Sequence, residues 1–334
     1  MSKLYIFGNG LGMAIDPHAY DLTGGLLDVW TQGPLTEIQR SLISSCLPDG
    51  EGEPRSEEHL GTLQVVVAAC ETLLEVRPTA GEHWLTSIGK AFPNAVHRFA
   101  FEVAKKMYMA RNTNTSSENF NKLYKLPTKF LDDLSEAIQS SMSHVATLNY
   151  DGLLSQDFEK RGLMGSDFSI LRDGFIDGIF HRQNLFRPHE RGGWYLHLHG
   201  CPLFSTNSKG QFRKLSPKSL LIENGSLKYV GQHIVLTHAQ HKMSIIQGSH
   251  ILDTYWEFLN LAINRCSEIL IFGYSGNDIH LNRIIAQGRG ERSIRVVEWL
   301  GAGKRENRIR FWSDQLGGGV DLIQKEDVLT FDDW

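Results

Sequence analysis

The fold is indicated by residues 4–12, which read Leu-Tyr-Ile-Phe-Gly-Asn-Gly-Leu-Gly. The four apolar residues predict a short buried strand, and the glycines after them predict a tight turn. An open α/β sheet presents a phosphate site in this way, because backbone N–H groups at such a turn approach an anion closely. Gly8 and Gly10 match the start of the dinucleotide-binding pattern, but Met13 stands where its third glycine is expected. The turn alone therefore leaves two interpretations, a structural turn and a phosphate site.

Strands and helices alternate along the rest of the chain. Further strands are predicted at His144–Leu148, Trp194–His199, Glu268–Phe272 and Ser293–Trp299. The segment after the first turn, to about Pro34, is glycine-rich and is predicted to be irregular, whereas apolar residues recur at helical spacing from about 35 to 141. We predict one domain, residues 1–334, with a Rossmann-like α/β fold: a parallel sheet, helices on both faces, a large helical insertion at about 35–141 and a small one at about 203–232.

Composition limits the functional classes. With 34 basic and 38 acidic residues the formal net charge is −4, which argues against a broad nucleic-acid-binding surface. The longest mostly apolar stretch, Leu63–Leu74, is too short to span a bilayer, and the first residues lack a signal-peptide pattern. The four cysteines form no CxxC pair, which indicates a reducing compartment and no cysteine-based zinc site. We expect a cytoplasmic protein without direct contact to membranes or nucleic acid.

Glycine-rich or polar turns follow four of the predicted strands, after Phe7, Leu148, Leu198 and Phe272. Ligands of open parallel sheets bind beyond the carboxyl ends of the strands, so we expect these turns to converge on one crevice. His199, at a strand end beside a glycine, is a candidate general base because an unperturbed imidazole titrates near neutrality. His197 and His199 have no third ligand at suitable spacing, so no metal site is predicted.

Two of these turns also have a purely structural interpretation. Asn and Asp stabilise turns, which by itself accounts for Asn149-Tyr150-Asp151-Gly152. Asp278 stands just before a predicted helix, where Asp is a favoured N-cap. Capping and ligand contact are equally consistent with its position.

Taken in order, the four turns resemble the motifs of the sirtuin-like superfamily. Residues 8–12 resemble its phosphate loop and residues 147–151 its T-x-N-x-D motif. Residues 198–200 resemble its L-H-G motif, whose histidine is catalytic, and residues 273–278 resemble the segment that closes over the nucleotide. The NYD and GYSxxD variants and the long helical insertion look like those of the sirtuin-like NAD+ hydrolases of prokaryotic antiviral (anti-phage) defence.

The resemblance implies an NAD+ glycohydrolase that cleaves NAD+ to nicotinamide and ADP-ribose. It implies that Asn149 orients water or ribose, that His199 is the general base, and that Asp151 holds the nicotinamide carboxamide or fixes the turn. The residues that it implies for NAD+ binding are Gly8, Asn9, Gly10, Gly12, Tyr150, Gly273, Tyr274, Ser275 and Asp278.

Departures from the superfamily motifs bear on the alternatives. Deacylase sirtuins carry a four-cysteine zinc module after the catalytic histidine, but only Cys201 and Cys266 follow His199. Zinc is therefore not expected, and an NAD-dependent protein deacylase is disfavoured. The other alternative is a non-catalytic scaffold subunit that senses NAD or a related nucleotide and holds partner proteins. The resemblance to defence enzymes also implies an effector that self-associates and has a partner subunit that senses infection. Alternatively, the helices of residues 35–141 only cover the sheet and line the pocket.

Overall fold

The computed structural model describes residues 2–48, 52–75, 85–110, 124–186, 192–221 and 231–334. Its strands are β1 (Lys3–Phe7), β2 (His144–Thr147), β3 (Leu171–Arg172), β4 (Phe175–Ile176), β5 (Ile179–Phe180), β6 (Gly193–His197), β7 (Phe204–Thr206), β8 (Phe212–Lys214), β9 (Glu268–Phe272), β10 (Ser293–Trp299) and β11 (Asp321–Lys325). Seven of them form a parallel sheet in the order β11-β10-β9-β1-β2-β6-β3. A smaller antiparallel sheet has the order β4-β5-β8-β7.

The helices of the described residues are α1 (Gly10–Ile15), α2 (Pro17–Tyr20), α3 (Leu22–Gln32), α4 (Glu37–Ser45), α5 (Glu57–Glu75), α6 (Ser87–Met109), α7 (Thr128–Ser141), α8 (Leu153–Lys160), α9 (Ala239–Gly248), α10 (His250–Arg265), α11 (Ile279–Gly288) and α12 (Arg305–Leu316). None of these helices combines the length and the apolar composition that a membrane span requires.

Helices cover both faces of the parallel sheet, as strand β1 shows. Leu4 and Ile6 point to one face and belong to an apolar cluster with residues of α10, α11 and α12. Tyr5 and Phe7 point to the other face and pack with residues of α7 and α8. All four side chains are fully buried, as expected for a central parallel strand. The predicted α/β fold, with a parallel sheet and helices on both faces, is confirmed.

The strand order places a topological switch beside β1. The chain runs from β1 to β2 and β6 on one side, and later adds β9 and β10 on the other side of β1. In open α/β sheets, ligands bind in the crevice that such a reversal opens at the carboxyl ends of the strands. The loops after β1 and β9 flank this crevice.

The prediction that the segment to about Pro34 is irregular was wrong, because helices α1, α2 and α3 occupy it. Asp16 accepts hydrogen bonds from the N–H groups of His18 and Ala19 and so caps α2. Asp21 accepts one from Gly24 N at 2.7 Å and caps α3. Gly25 lies in the middle of α3, where tertiary packing outweighs the low helix propensity of glycine.

Helices dominate the described parts of residues 35–141, as predicted. Residues of α3, α4, α5 and α6 form an apolar cluster of their own, with Leu26, Ile43, Leu63 and Phe99 among its buried members. In the smaller predicted insertion, β7 and β8 pair with each other, while its residues 222–230 lie outside the described residues. That these two segments are insertions into one domain stays a prediction.

Candidate active site

A cavity of about 600 Å³ lies at the carboxyl ends of five neighbouring strands. The side chains or loops that line it include His199 after β6, Asn149 after β2, Gly8 after β1, Gly273 after β9 and Trp299 at the end of β10. Turns from separate parts of the sequence therefore meet in one crevice, which is where the strand-end rule places a ligand.

His199 lies in the turn after β6 rather than on the strand, which ends at His197. The prediction that the strand continues to His199 was therefore wrong, and His199 does not share a strand face with Tyr195 and His197. Its carbonyl accepts a hydrogen bond from Val235 N at 3.0 Å, and its ring Nε2 lies 3.0 Å from Asp278 Oδ2. The imidazole is thus fixed from a second element of the fold.

The two carboxylate oxygens of Asp278 make different contacts. Oδ1 accepts hydrogen bonds from the N–H groups of His280 and Leu281, both at 3.1 Å, and caps helix α11. Oδ2 contacts His199 and lies 3.4 Å from Lys242 Nζ. Burial by itself would raise the pKa of Asp278, but the hydrogen bond from His199 and the charge of Lys242 hold that pKa well below its usual range. Asp278 is therefore ionised.

The protonation of His199 follows from this environment. Burial lowers the pKa of the imidazole, and the nearby Lys242 charge acts in the same direction, against the opposing effect of Asp278. The ring is therefore neutral near pH 7. Because an ionised carboxylate only accepts hydrogen bonds, Nε2 carries the proton and Nδ1 is the basic nitrogen.

Lys242 and Glu57 are site residues that the sequence did not reveal. Lys242, on α9, is buried and lies 3.9 Å from Glu57 Oε1, at the start of α5. A lysine inside an amphipathic helix carries no local signal of such a contact. The packing of α5 against α9 creates the chain of charges from Glu57 through Lys242 to Asp278.

The two asparagines of the site are held in a similar way. Asn149 Nδ2 donates to Gly8 O at 3.0 Å, and Asn9 Nδ2 donates to Tyr20 O at 2.8 Å. In both residues Oδ1 is buried without a hydrogen-bond partner among the described residues. An unsatisfied buried acceptor costs about 1–3 kcal/mol, which a hydroxyl donor bound in the cavity would offset. These oxygens suit ribose hydroxyls or water rather than phosphate, because phosphate is itself an acceptor.

The glycines after β1 allow two loops to pack closely. Gly8 N donates to Phe272 O at 2.9 Å and Gly10 N to Gly273 O at 2.7 Å. A Cβ at Gly10 would lie 2.6 Å from the Gly273 carbonyl oxygen, and Gly273 itself has a φ of +60°. The N–H groups of Gly8 and Gly10 are thus used within the protein. Among the described residues that line the cavity, the backbone N–H groups of Asn9, Tyr274 and Ser275 donate no hydrogen bond within the protein, so these groups are candidates to bind an anion.

The structure places the other predicted residues as follows. The Tyr150 hydroxyl donates to Val235 O, and the Tyr274 hydroxyl accepts from Asp278 N at 2.7 Å, so both are engaged within the protein although both residues line the cavity. Gly12 packs against the Tyr20 ring, and Asp151 Oδ1 accepts from Leu153 N at 3.0 Å. Of the twelve predicted site residues, all except Gly12 and Asp151 line the cavity.

A fifth strand end was missed. Glu298 and Trp299 end β10 and line the cavity together with Arg308 of α12. The rule that ligands bind beyond the carboxyl ends of parallel strands identified the other four turns, and it applies equally to the end of β10. The polar and aromatic residues at this strand end were the signal that could have revealed it as part of the site. Across the described ranges, no three His, Cys, Asp or Glu side chains are grouped so that they would hold a metal ion. The absence of zinc stays a prediction.

The chain is similar to one described protein family and to solved structures of low sequence identity. No curated protein matches the chain. The chain is similar to a solved structure from work on the mechanism and regulation of Sir2 enzymes, with 12% identity and a TM-score of 0.43, over 98% of this chain and 88% of that one. Likeness at this level is too low to transfer an activity. The family model described as a SIR2-like domain matches residues 143–315, just over half of the chain, including the turns of Asn149, His199 and Asp278. This chain therefore belongs to the family of SIR2-like domains.

Proposed function

We propose that the protein is an NAD+ glycohydrolase, which releases nicotinamide and ADP-ribose from NAD+. The observation that carries the proposal is the 3.0 Å contact of His199 Nε2 with the buried carboxylate of Asp278, in the same cavity as the unsatisfied amide oxygen of Asn149. Membership of the SIR2-like family supports a nicotinamide dinucleotide as the substrate. We place the enzyme in the cytoplasm, where its substrate is abundant.

The proposed reaction breaks the bond between ribose C1′ and the nicotinamide nitrogen. The electron pair of that bond leaves with nicotinamide, which departs as a neutral molecule, and the ribose passes through an oxocarbenium-like state. The oxygen of a water molecule then bonds to C1′. His199 Nδ1 accepts the proton from this water, directly or through a ribose hydroxyl, and returns it to solvent.

The asparagines would position the reacting groups. Asn149 Oδ1 would accept a hydrogen bond from the attacking water or a ribose hydroxyl, and its dipole would face the positive charge that develops on the ribose. Asn9 would serve a second hydroxyl. The pyrophosphate would lie against the N–H groups of Tyr274 and Ser275, in the crevice between the loops after β1 and β9. For Asp151 we propose the second of its two predicted roles, because its Oδ1 accepts a hydrogen bond from Leu153 N and so stabilises the turn that follows Asn149.

The test is nicotinamide release from NAD+, followed by mass spectrometry of both products. We expect Asn149→Ala and His199→Ala to lower turnover by about 10²–10⁴ while the protein stays folded, because a positioned base and its orienting group contribute at that scale. His181→Ala, an exposed histidine outside the cavity, is the matched control. Wild-type turnover by both site variants would contradict the assignment. Binding of NAD+ without nicotinamide release would favour the sensing module instead, and turnover of acetylated peptides would favour the deacylase.

We further propose that the chain is the effector subunit of an anti-phage abortive-infection system and works in an assembly. Its resemblance to defence hydrolases suggests this role, and the helical segment supports it. Exposed apolar side chains lie on α3, α4 and α5, namely Leu27, Ile38, Val65 and Leu74. Such residues fit a contact with a second copy of the chain or with a partner subunit that senses infection. Light scattering and turnover, measured with and without the partner and an infection signal, test this. Full activity of an isolated monomer under all conditions would contradict it.

A further inference from the structure

The cavity is long in one direction, and its two ends differ in chemistry. From β6, which leads to His199, to β10, which ends in Trp299, there are four strand spacings, or about 19 Å. The glycine loops after β1 and β9 lie between these ends. If the pyrophosphate occupies the middle and the nicotinamide ribose the His199 end, the second nucleoside reaches the end of β10.

An aromatic ring is fixed at this end. Trp299 lines the cavity and is 61% exposed, which is unusual for a side chain of its size. Its backbone is held in the sheet by pairing with Lys325 of β11. The indole lies directly against Gly301, where a Cβ would come within 2.3 Å of ring atom Cη2. One side of the ring is therefore supported by backbone, and much of its remaining surface is open.

The acidic residue beside Trp299 is not free to bind a ribose. Glu298 is buried and accepts hydrogen bonds from Arg308, from Trp312 Nε1 at 2.9 Å and from Gln324 Nε2 at 3.0 Å. These donors occupy both carboxylate oxygens. An acidic side chain commonly recognises ribose hydroxyls in dinucleotide-binding folds, but this one is already satisfied. Recognition at this end must rest on another interaction.

We propose that Trp299 is the platform on which the adenine ring of the dinucleotide stacks, and that it makes the enzyme select dinucleotides over mononucleotides. The proposal rests on the proposed function, because it assumes that nicotinamide ribose binds at His199. Base–aromatic stacking needs only an open ring face held in place, and Trp299 provides one. Glu298 and Arg308, fixed by their mutual hydrogen bonds, form the rigid wall beside it.

The experiment compares Trp299→Ala, Trp299→Phe and Leu300→Ala. Leu300 is the matched control, because it is the adjacent residue, is 49% exposed and does not line the cavity. Affinity for ADP-ribose is measured by calorimetry, and kcat and KM are measured for NAD+ and for nicotinamide mononucleotide, which lacks adenosine. We expect Trp299→Ala to weaken ADP-ribose binding about 5- to 150-fold, to raise KM for NAD+ more than it lowers kcat, and to lower the preference for NAD+ over the mononucleotide by a similar factor. Trp299→Phe should retain most of the affinity, and Leu300→Ala should behave like the wild type.

The two proposals fail in different ways. ADP-ribose affinity that Trp299→Ala leaves unchanged, or equal losses on both substrates, would overturn the stacking role while leaving hydrolysis in place. Weakened ADP-ribose binding by Trp299→Ala, in a protein that releases no nicotinamide, would support the stacking role and overturn the hydrolase. A wild-type protein that neither binds ADP-ribose nor releases nicotinamide from NAD+ would overturn both.

Discussion

His199 Nε2 lies 3.0 Å from Asp278 Oδ2, although the two residues are 79 positions apart in the sequence. The contact joins the turn after β6 to the N-cap residue of helix α11, which follows β9; strands β2 and β1 lie between β6 and β9 in the sheet. Because Asp278 is ionised, this contact decides which ring nitrogen of His199 carries the proton. We therefore predict that the carboxylate acts through the imidazole rather than by contact with the substrate.

Asp278→Asn separates this orienting role from helix capping. Asn is a good N-cap, so α11 should keep its start. The amide group would offer an N–H toward Nε2 and favour the opposite imidazole tautomer, with the proton on Nδ1. We expect turnover to fall by about 10²–10⁴ and ADP-ribose binding to change little, with the tautomer followed by nitrogen NMR of the ring. An Asn variant as active as the wild type would remove Asp278 from the mechanism.

The charges beyond Asp278 should shift the pH profile in opposite directions. Lys242 lowers the pKa of His199, whereas Glu57 raises it. Lys242→Met should therefore move the acidic limb of kcat/KM to higher pH, and Glu57→Gln should move it to lower pH by a smaller amount, because Glu57 is half exposed. Lys242→Arg keeps the charge and is the control. Shifts of the same sign in both variants would show that these charges do not act on His199.

Gly10→Ala tests the packing of the two glycine loops. The new methyl group would lie 2.6 Å from Gly273 O and 2.7 Å from Gly273 Cα, and backbone atoms cannot rotate away as a side chain can. We expect the free energy of unfolding to fall by about 1–3 kcal/mol, as measured in urea. Gly25→Ala is the matched control: its methyl group meets only Val103 Cγ1 at 3.9 Å, and helix propensity favours it by up to about 1 kcal/mol. Equal stability of the two variants would contradict the close packing.

Much of the sheet and of the site was predictable, because the signals are local. Strands such as Glu268–Phe272 are apolar runs that end in glycine or polar turns, and the carboxyl ends of parallel strands must share one edge. That rule alone predicted that the turns of Asn149, His199 and Asp278 lie close together.

The parts that were not predictable depend on contacts between distant segments. Helix α3 forms despite Gly24 and Gly25, because Asp21 caps it and it packs on α6. Lys242 reaches Asp278 only because α5 and α9 hold it there, and nothing in its own helix distinguishes it from a surface lysine. The glycines after β1 were expected to expose their N–H groups to phosphate, but close packing of the second loop takes the N–H groups of Gly8 and Gly10.

The prediction that no zinc is bound has a direct measurement. Cys201 and Cys266, the cysteines that follow His199, are buried free thiols, and burial raises their pKa to about 12 and about 11. Thiols held protonated in this way are poor zinc ligands, because the metal binds the thiolate. Elemental analysis of purified protein should find well under one zinc per chain. Stoichiometric zinc that resists mild chelation would contradict this and would favour the deacylase alternative.

Stability should fall in mild acid because several histidines are buried in the neutral state. Burial lowers the pKa of His144 to about 4, of His233 to about 4 and of His197 to about 3, from an ordinary value of 6.5. As pH falls below 6.5, these histidines therefore bind protons in the unfolded chain before they do so in the folded chain. The stabilising contribution of the neutral histidines is present above pH 6.5 and is lost as pH falls toward their pKa in the folded state. Each histidine contributes a slope of up to about 1.4 kcal/mol per pH unit in this window. Urea unfolding between about pH 7.5 and pH 5 should show this loss of stability.

His197→Leu should make the free energy of unfolding less dependent on pH, because neither ring nitrogen of His197 has a partner among the described residues and the leucine has similar volume. If the free energy of unfolding stays constant over this pH range, or if its pH dependence is unchanged in His197→Leu, these histidines do not cause the loss of stability in acid.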